Sequence, residues 1–369
     1  MNIQQKQLLL ILSNKLFDKD CDIEPTEHII IEAKQQTVSC LIMPNDYKNL
    51  ANNIRVDYAH AELTELLKGI PFVTIKGYAS AYYYPDPSKR SMGDVDFYVE
   101  PENYQKAKEA LLNNGLEQVE QDHERHETFR KNGVLYELHS EIKGVPNGRD
   151  GIRTTSKNAE EKVRICLSDL VRTAITVSTE QGNVIIPDAF HHGLIMLLHI
   201  SGHMLNGEGI GLRHLCDWAV YAGIVNVENY KQQLQELGLW TFACQLTALC
   251  SKYLGLPEKR WSGKWDELFL TDLIEDIMNA GNFGRKDTGR AAGLCMNREH
   301  SIIASLAQMT RKRFKFFDNH PIFLPVGIIV YAVIYFGERV TGKKQWVRID
   351  NVIQGAKRQR LYEQFKLFI

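Results

Sequence analysis

The sequence predicts an α+β protein, with a small mixed sheet between residues 61 and 150 and a larger α-helical region after it. Three observations carry this reading. Short β-branched and apolar runs bounded by turn residues cluster between residues 72 and 142, and Asn132-Gly133 separates two of them as a hairpin turn does. From residue 158 onward the apolar spacing becomes helical. A chain of 369 residues with 44% hydrophobic and 24% charged side chains is ordinary for a globular protein, so it can bury a sizeable core and hold more than one unit.

Four segments are expected: an N-terminal helical segment (1–60), an α/β unit (61–150), an α-helical unit (151–310) and a basic, apolar C-terminal extension (311–369). Residues 1–70 read as helical, except that 37–43 (TVSCLIM) suit either a strand or a buried helix. Pro71 breaks the pattern, and Phe72-Val73-Thr74-Ile75 reads as a strand. Residues 78–84 form a short helix that Pro85 and Pro87 end. Asp94-Val95-Asp96-Phe97-Tyr98-Val99 reads as a strand whose first residues emerge at an edge. Pro101 starts a helix through Leu112, and Gly115 closes it. Residues 127–130 and 134–142 flank the Asn-Gly turn. Helices are expected over 158–175, 188–205, 211–224, 227–238, 240–253 and 265–280, with Val184-Ile185-Ile186 as one stray strand.

Net charge is −1, which gives the whole molecule no electrostatic case for nucleic acid. The balance is uneven, because residues 311–369 hold twelve Lys and Arg against four Asp and Glu. A basic tail on an acidic body suits an anionic partner surface or a solvated helical face. Residues 321–337 are uncharged, at the lower limit for crossing a bilayer, and Pro325 interrupts them. A buried helix is the first reading, an interfacial membrane helix the second and a transmembrane span the third. Seven cysteines without a C-x-x-C pair match a reduced compartment. The apolar patch at 8–12 lacks the flanks of a signal peptide and reads as an amphipathic helix. A cytoplasmic protein is expected, with peripheral contact to the inner face of the membrane through 311–369 as the second reading of that segment.

The chemistry concentrates in Lys76-Gly77 and Gly93-Asp94-Val95-Asp96. Asp94 and Asp96 stand two apart on a strand, so both carboxylates face one side. They repel unless a cation lies between them, and hard oxygen ligands favour magnesium or manganese. Gly77 lets the backbone turn tightly, and the helix after it would aim free N–H groups at a phosphate. Lys76 and Arg90 would neutralise the rest of a triphosphate, although a surface ion pair explains either almost as well. A third carboxylate would complete a two-metal site; Glu137 on the second hairpin strand is the candidate and Glu141 its rival.

Strand, glycine turn, helix and D-x-D strand together resemble the DNA-polymerase-beta-like nucleotidyltransferases. More narrowly, KGYASAYYYPDPSKRSMGDVDFYV is similar to a bacterial group of uncharacterised nucleotidyltransferases. That group shows a K-G turn, an arginine before G-D-[IV]-D, and a later acidic–Leu–His strand, here Glu137-Leu138-His139. A looser match is His199-x-x-x-His203 followed by Leu212-Arg213-His214-Leu215-Cys216-Asp217-Trp218. Two departures stand out: the usual Gly-Ser is Gly77-Tyr78, with Ser80 the nearest serine, and the third acid is Glu137 where Asp is commoner.

His192, His199 and His203 share one helical face. The i, i+4 pair has a zinc-ligand spacing, and Asp217 could add a carboxylate. The glutamate of H-E-x-x-H is missing, so a structural or substrate-pocket role is preferred to a metal. His191 is expected at the surface. The basic loop 281–290 reads as an inter-helix connection, not a P-loop. Tyr82-Tyr83-Tyr84 is expected to send one or two rings into the core.

The resemblance implies a magnesium- or manganese-dependent nucleotidyltransferase acting on a nucleoside triphosphate. Asp94, Asp96 and Glu137 would be catalytic and hold the metals. Lys76, Gly77, Ser80 and Arg90 would bind the nucleotide. His139, His199, His203, Arg213 and Asp217 would shape the pocket for a small-molecule, glycan, peptide or protein acceptor. Two other readings stay open: a nucleotide-binding or regulatory protein that kept the fold without turnover, and a metal-dependent phosphohydrolase using the histidine helix.

Overall fold

The computed structural model describes residues 1–19, 23–43, 47–120, 126–142, 159–205, 209–281, 320–342 and 360–369, and positions 144, 306, 307, 310, 311, 313, 314, 316, 317, 357 and 358. The expected loop 282–290 lies outside them. Four helices come first: α1 (Ile3–Lys15), α2 (Glu27–Gln35), α3 (Ser39–Ile42) and α4 (Tyr47–Leu66). Helix α1 starts on a capping box, in which Asn2 and Gln5 satisfy each other's backbone N–H. The ambiguous TVSCLIM run is the short buried helix α3.

A mixed five-stranded sheet follows, in the order β1-β2-β5-β4-β3. Its strands are β1 (Val73–Thr74), β2 (Val95–Tyr98), β3 (Glu117–Glu120), β4 (His126–Lys131) and β5 (Val134–His139). Only β2 and β5 run parallel; the other neighbours are antiparallel. Helix α5 (Gly77–Ala81) follows β1, and α6 (Pro101–Asn113) follows β2. Asn132 and Gly133 both take positive φ (51° and 76°), as the two-residue turn between β4 and β5 requires.

Alternation along β2 decides what faces what. Val95 and Phe97 enter a core with Leu63 of α4, Leu67 just after it and Leu111 of α6, together with Tyr136 and Leu138 of β5. The residues between them, Asp96 and Glu137, are paired in register on the neighbouring strands and so share the other face.

Helices α7 (Ala159–Leu167), α8 (Ala189–Leu205), α9 (Leu212–Ile224), α10 (Lys231–Glu236), α11 (Trp240–Tyr253) and α12 (Glu267–Ala280) follow the expected pattern closely. One expected helix is shorter than its pattern. The segment 158–175 ends its helix at Leu167, and Ile175 opens strand β6 (Ile175–Thr179), which pairs antiparallel with β7 (Gly182–Ile186). That hairpin lies against α4 and β1. A second core unites the helical region with both ends of the chain: Leu8 and Leu12 of α1, Trp218 of α9, Phe242 of α11, and Phe365 and Phe368. Gln36 donates to the Met278 carbonyl at 2.9 Å, and the Phe368 N–H donates to the Gly238 carbonyl at 2.8 Å. Packing therefore runs across the expected boundaries at 60 and 310.

Two expectations about the C-terminal segment are corrected. Helix α13 (Leu324–Val340) is not part of the buried core of the helical region; Val326, Ile329, Val330, Val333, Phe336 and Val340 face outward, and of its residues only Gly327 is buried. Of the two cations at 357 and 358, Arg358 is buried 2.9 Å from Asp276 and does not face solvent, whereas Lys357, 3.4 Å from Asp272, is exposed as expected. His191 also differs from expectation: it is buried and sits 2.7 Å from Asp188.

Phe365 is fully buried between Phe242 and Phe269, with ring centroids 4.8 and 5.9 Å away. Phe365→Ala is expected to cost about 3–5 kcal/mol of unfolding free energy, read from urea denaturation. A loss below about 1 kcal/mol would mean that the C-terminal segment is not part of the core.

Candidate active site

The turn from β1 into α5 sets one wall. Lys76 has φ 63° and ψ −148°, a region that side-chain-bearing residues avoid, and Gly77 follows at φ 41°. Gly77 needs both its freedom and its size, because a Cβ there would meet the His60 ring at 3.0 Å. His60 is fully buried, and neither ring nitrogen has a hydrogen-bond partner among the described residues. Burial pushes its pKa down to about 3, so it packs as a neutral ring. The Ile75 N–H donates to the Asp96 carbonyl at 2.9 Å, which fixes this turn against β2.

The strained lysine is anchored by its charge. Lys76 Nζ lies 2.5 Å from Asp96 Oδ1, and His139 Nε2 lies 2.8 Å from the same oxygen. Burial would raise the Asp96 pKa, but Lys76 and His139 outweigh it and hold the carboxyl far below its usual range. Asp94, just before β2, behaves in the opposite way. The Asp96 charge, then burial, then Glu137 push its pKa up to about 6. One ligand atom from each of Asp96, Glu137 and His139 lies within 4.8 Å of the others. Glu137 Oε2 is 3.4 Å from His139 Nε2 and 3.9 Å from His126 Nε2. Glu141, the rival third acid, instead pairs with Arg164 at the surface.

These oxygens fit a hard divalent cation. Two like charges that raise each other's proton affinity become favourable once a cation lies between them. Asp96, Glu137 and Asp94 could hold magnesium, and the His139 nitrogen is a donor that manganese also accepts. Lys76 supplies the compensating positive charge.

Helices α8 and α9 form the facing wall. Asp94, Asp96, Lys76, Ser80, His199 and Arg213 all line the cleft between them. Its enclosed part is about 60 Å³, which is room for ions and a phosphate group but not for a whole nucleotide, so a base would lie toward the mouth. Arg90 and Asp217 form a bidentate pair, with Nε and Nη2 each 2.8 Å from a carboxylate oxygen, and the Tyr84 hydroxyl donates to Asp217 at 2.8 Å. All three are buried. Arg90, expected at the triphosphate, and Asp217, expected in the acceptor pocket, are thus directed at each other. Arg213 is half-buried on the same wall. Burial and the Arg90 charge lower its pKa, while Asp217 and Asp94 oppose them.

The histidines of α8 meet one more from α9. His199 Nε2 and His203 Nε2 are 3.2 Å apart, and a ligand atom of His214 completes a set within 4.8 Å. A tetrahedral zinc site has nitrogens about 3.3 Å apart. Ligation through His214 Nε2 would move its ring proton to Nδ1, where the Gly211 N–H now donates at 3.3 Å. That contact is long, and its loss would leave the buried Gly211 N–H without this acceptor.

Of the residues expected in the acceptor pocket, His199, Arg213 and Asp217 line this cleft. His139 instead sits on the sheet beside Asp96. His60, His126 and His214 were not singled out as functional side chains by the sequence reading. Only His214, next to Arg213 at the start of a helix, had a local cue.

A family model described as an uncharacterised nucleotidyltransferase matches residues 35–255. No match is found among curated proteins or among solved structures. The matched span is more than half of the chain and contains both walls of the cleft. With the D-x-D strand and the Lys-Gly turn meeting at one face of a mixed sheet, the chain belongs to this uncharacterised nucleotidyltransferase family.

Proposed function

We propose that the protein transfers a nucleoside monophosphate from a nucleoside triphosphate to an acceptor, with release of pyrophosphate and dependence on magnesium or manganese. The observation that supports this best is that Asp94 and Asp96 line one end of the cleft, with Glu137 within ligand distance of Asp96 and the charges of both raising the proton affinity of Asp94. A bound divalent ion would neutralise the triphosphate and polarise its α-phosphorus. Asp94 and Asp96 would hold the cation. Glu137 accepts the acceptor hydroxyl's proton as the acceptor oxygen bonds to the α-phosphorus and the bond to the β-phosphate oxygen breaks. Arg213, whose charge is disfavoured by burial and by Arg90, gains most from an anionic ligand and is assigned to the phosphates rather than to the acceptor. Lys76, Gly77 and Ser80 line the phosphate side, and His199 faces the acceptor side.

The test is incubation of the protein with each labelled nucleoside triphosphate and cell extract. A labelled acceptor with pyrophosphate release supports transfer. Nucleotide binding without pyrophosphate release, with every triphosphate and extract, would leave a silent binding protein instead.

Asp94→Asn separates stability from activity. The folded Asp94 pKa of about 6 lies above its ordinary 3.8, so the stability linked to its proton is full below 3.8 and is lost as pH rises through about 6. In chelator the variant is therefore expected to gain stability over the wild type between about pH 4 and 6, reaching about 3 kcal/mol and staying constant above. Its transfer activity is expected to fall about a hundredfold or more. Equal denaturation midpoints near neutral pH would refute the repulsion, and undiminished transfer would refute the role.

Arg213→Ala is expected to raise KM for the triphosphate about tenfold or more with little change in kcat. An unchanged KM would return Arg213 to the acceptor side.

A further inference from the structure

Helix α13 and the 3₁₀ turn before it, Pro321–Val340, present an apolar stripe to the outside. Ile322, Val326, Ile329, Val333, Phe336 and Val340 recur every three or four residues on one helical face. They are between 55% and 86% exposed. The two charges of the segment are only half-exposed: Glu338 pairs with Arg313 at 2.7 Å, and the Arg339 guanidinium lies 3.2 Å from the centre of the Tyr335 ring. This is the reverse of a solvated surface helix, which turns its charges outward.

We propose that α13 lies in the plane of an anionic membrane surface, with this stripe in the lipid, and anchors the protein without crossing the bilayer. Twenty residues at 1.5 Å each would be long enough to cross. The chain path forbids it. Residues before the helix (Leu8 to Met278) and after it (Leu361 to Phe368) belong to one hydrophobic core, so both of its ends lie on one side. A second crossing would have to come from 282–320 or 341–356. The longest uncharged run in either is eleven residues, 300–310, too short to span as a helix. Non-helical backbone is not tolerated in lipid.

Charge identifies the lipid. Arg311, Lys312, Arg313 and Lys315 precede the stripe, and Lys343, Lys344 and Arg348 follow it. Clustered cations beside an apolar helix bind anionic headgroups. A second copy of the chain is the other occupant the spacing allows, since the stripe has the period of a coiled-coil seam. Of the positions beside that seam, Phe323, Pro325, Val330, Ala332 and Gly337 carry no charge to choose a partner helix, and the one charge, Arg339, is held over the Tyr335 ring of its own helix.

The test uses the full chain with sealed vesicles of phosphatidylcholine alone, or with about 30% phosphatidylserine. Flotation is expected with the anionic vesicles and is expected to weaken as salt rises. The exposed double variant Ile329→Glu/Val333→Glu should lower the bound fraction about tenfold or more while keeping the wild-type melting curve. Cysteines placed at His320→Cys and Thr341→Cys should react equally with a membrane-impermeant thiol reagent on bound protein. Protection of one site alone would show a span and overturn the proposal. So would full recovery off the vesicles, or a lipid-free dimer that the Ile329→Glu/Val333→Glu variant dissociates.

Discussion

Two charges out of water, the Arg90 guanidinium and the Asp217 carboxylate, hold the walls of the cleft together. Arg90 belongs to the loop that leads into β2, and Asp217 to α9. Separating them would leave each ion in a low-dielectric interior, which costs about 3–5 kcal/mol when one partner is removed. The Tyr84 hydroxyl satisfies another Asp217 lone pair, so the pair is fixed in orientation as well as in place. The part of the sheet bearing Asp94 and Asp96 therefore keeps a set distance from α8 and α9. The same pairing engages the Arg90 guanidinium at the cleft wall, beside Arg213, which lines the same cleft.

The acidic end has a second compensation. Lys76 accepts an unfavourable backbone conformation, about 1–3 kcal/mol by type, and its ammonium is held on Asp96. The strain and the ion pair are two sides of one arrangement. A lysine with relaxed backbone would start from a different direction, and Gly77, packed on His60, leaves no room for the turn to move.

Local pattern made much of this legible. Asn132-Gly133 specified its hairpin, Pro101 and Gly115 bounded their helix, and Asp94-x-Asp96 marked one face because strand alternation is strict. Failures came where long-range contacts decide. Strand β6 was not foreseen, and its first residue Ile175 was read as the end of a helix, since its partner β7 and the hairpin's support from α4 are not local features. The charges of Arg90 and Asp217 gave no hint that they meet across 127 residues. Residues 361–368 looked like part of a basic tail, yet their apolar side chains complete the helical core, and the more apolar 326–336 stays outside it. Hydrophobicity alone did not rank these two segments; the space left by the rest of the fold did.

The two separate cores have a consequence for motion. Val95, Phe97 and Leu138 belong to one, and Trp218 and Phe242 to the other, with the cleft along their seam. Each core can open as its own cooperative unit, with amide exchange governed by its own local free energy. A ligand touching Asp96 on one side and Arg213 on the other adds its binding energy to both openings at once. Occupancy would then convert two foldons into one, and sheet and helix amides far from the ligand would slow their exchange together.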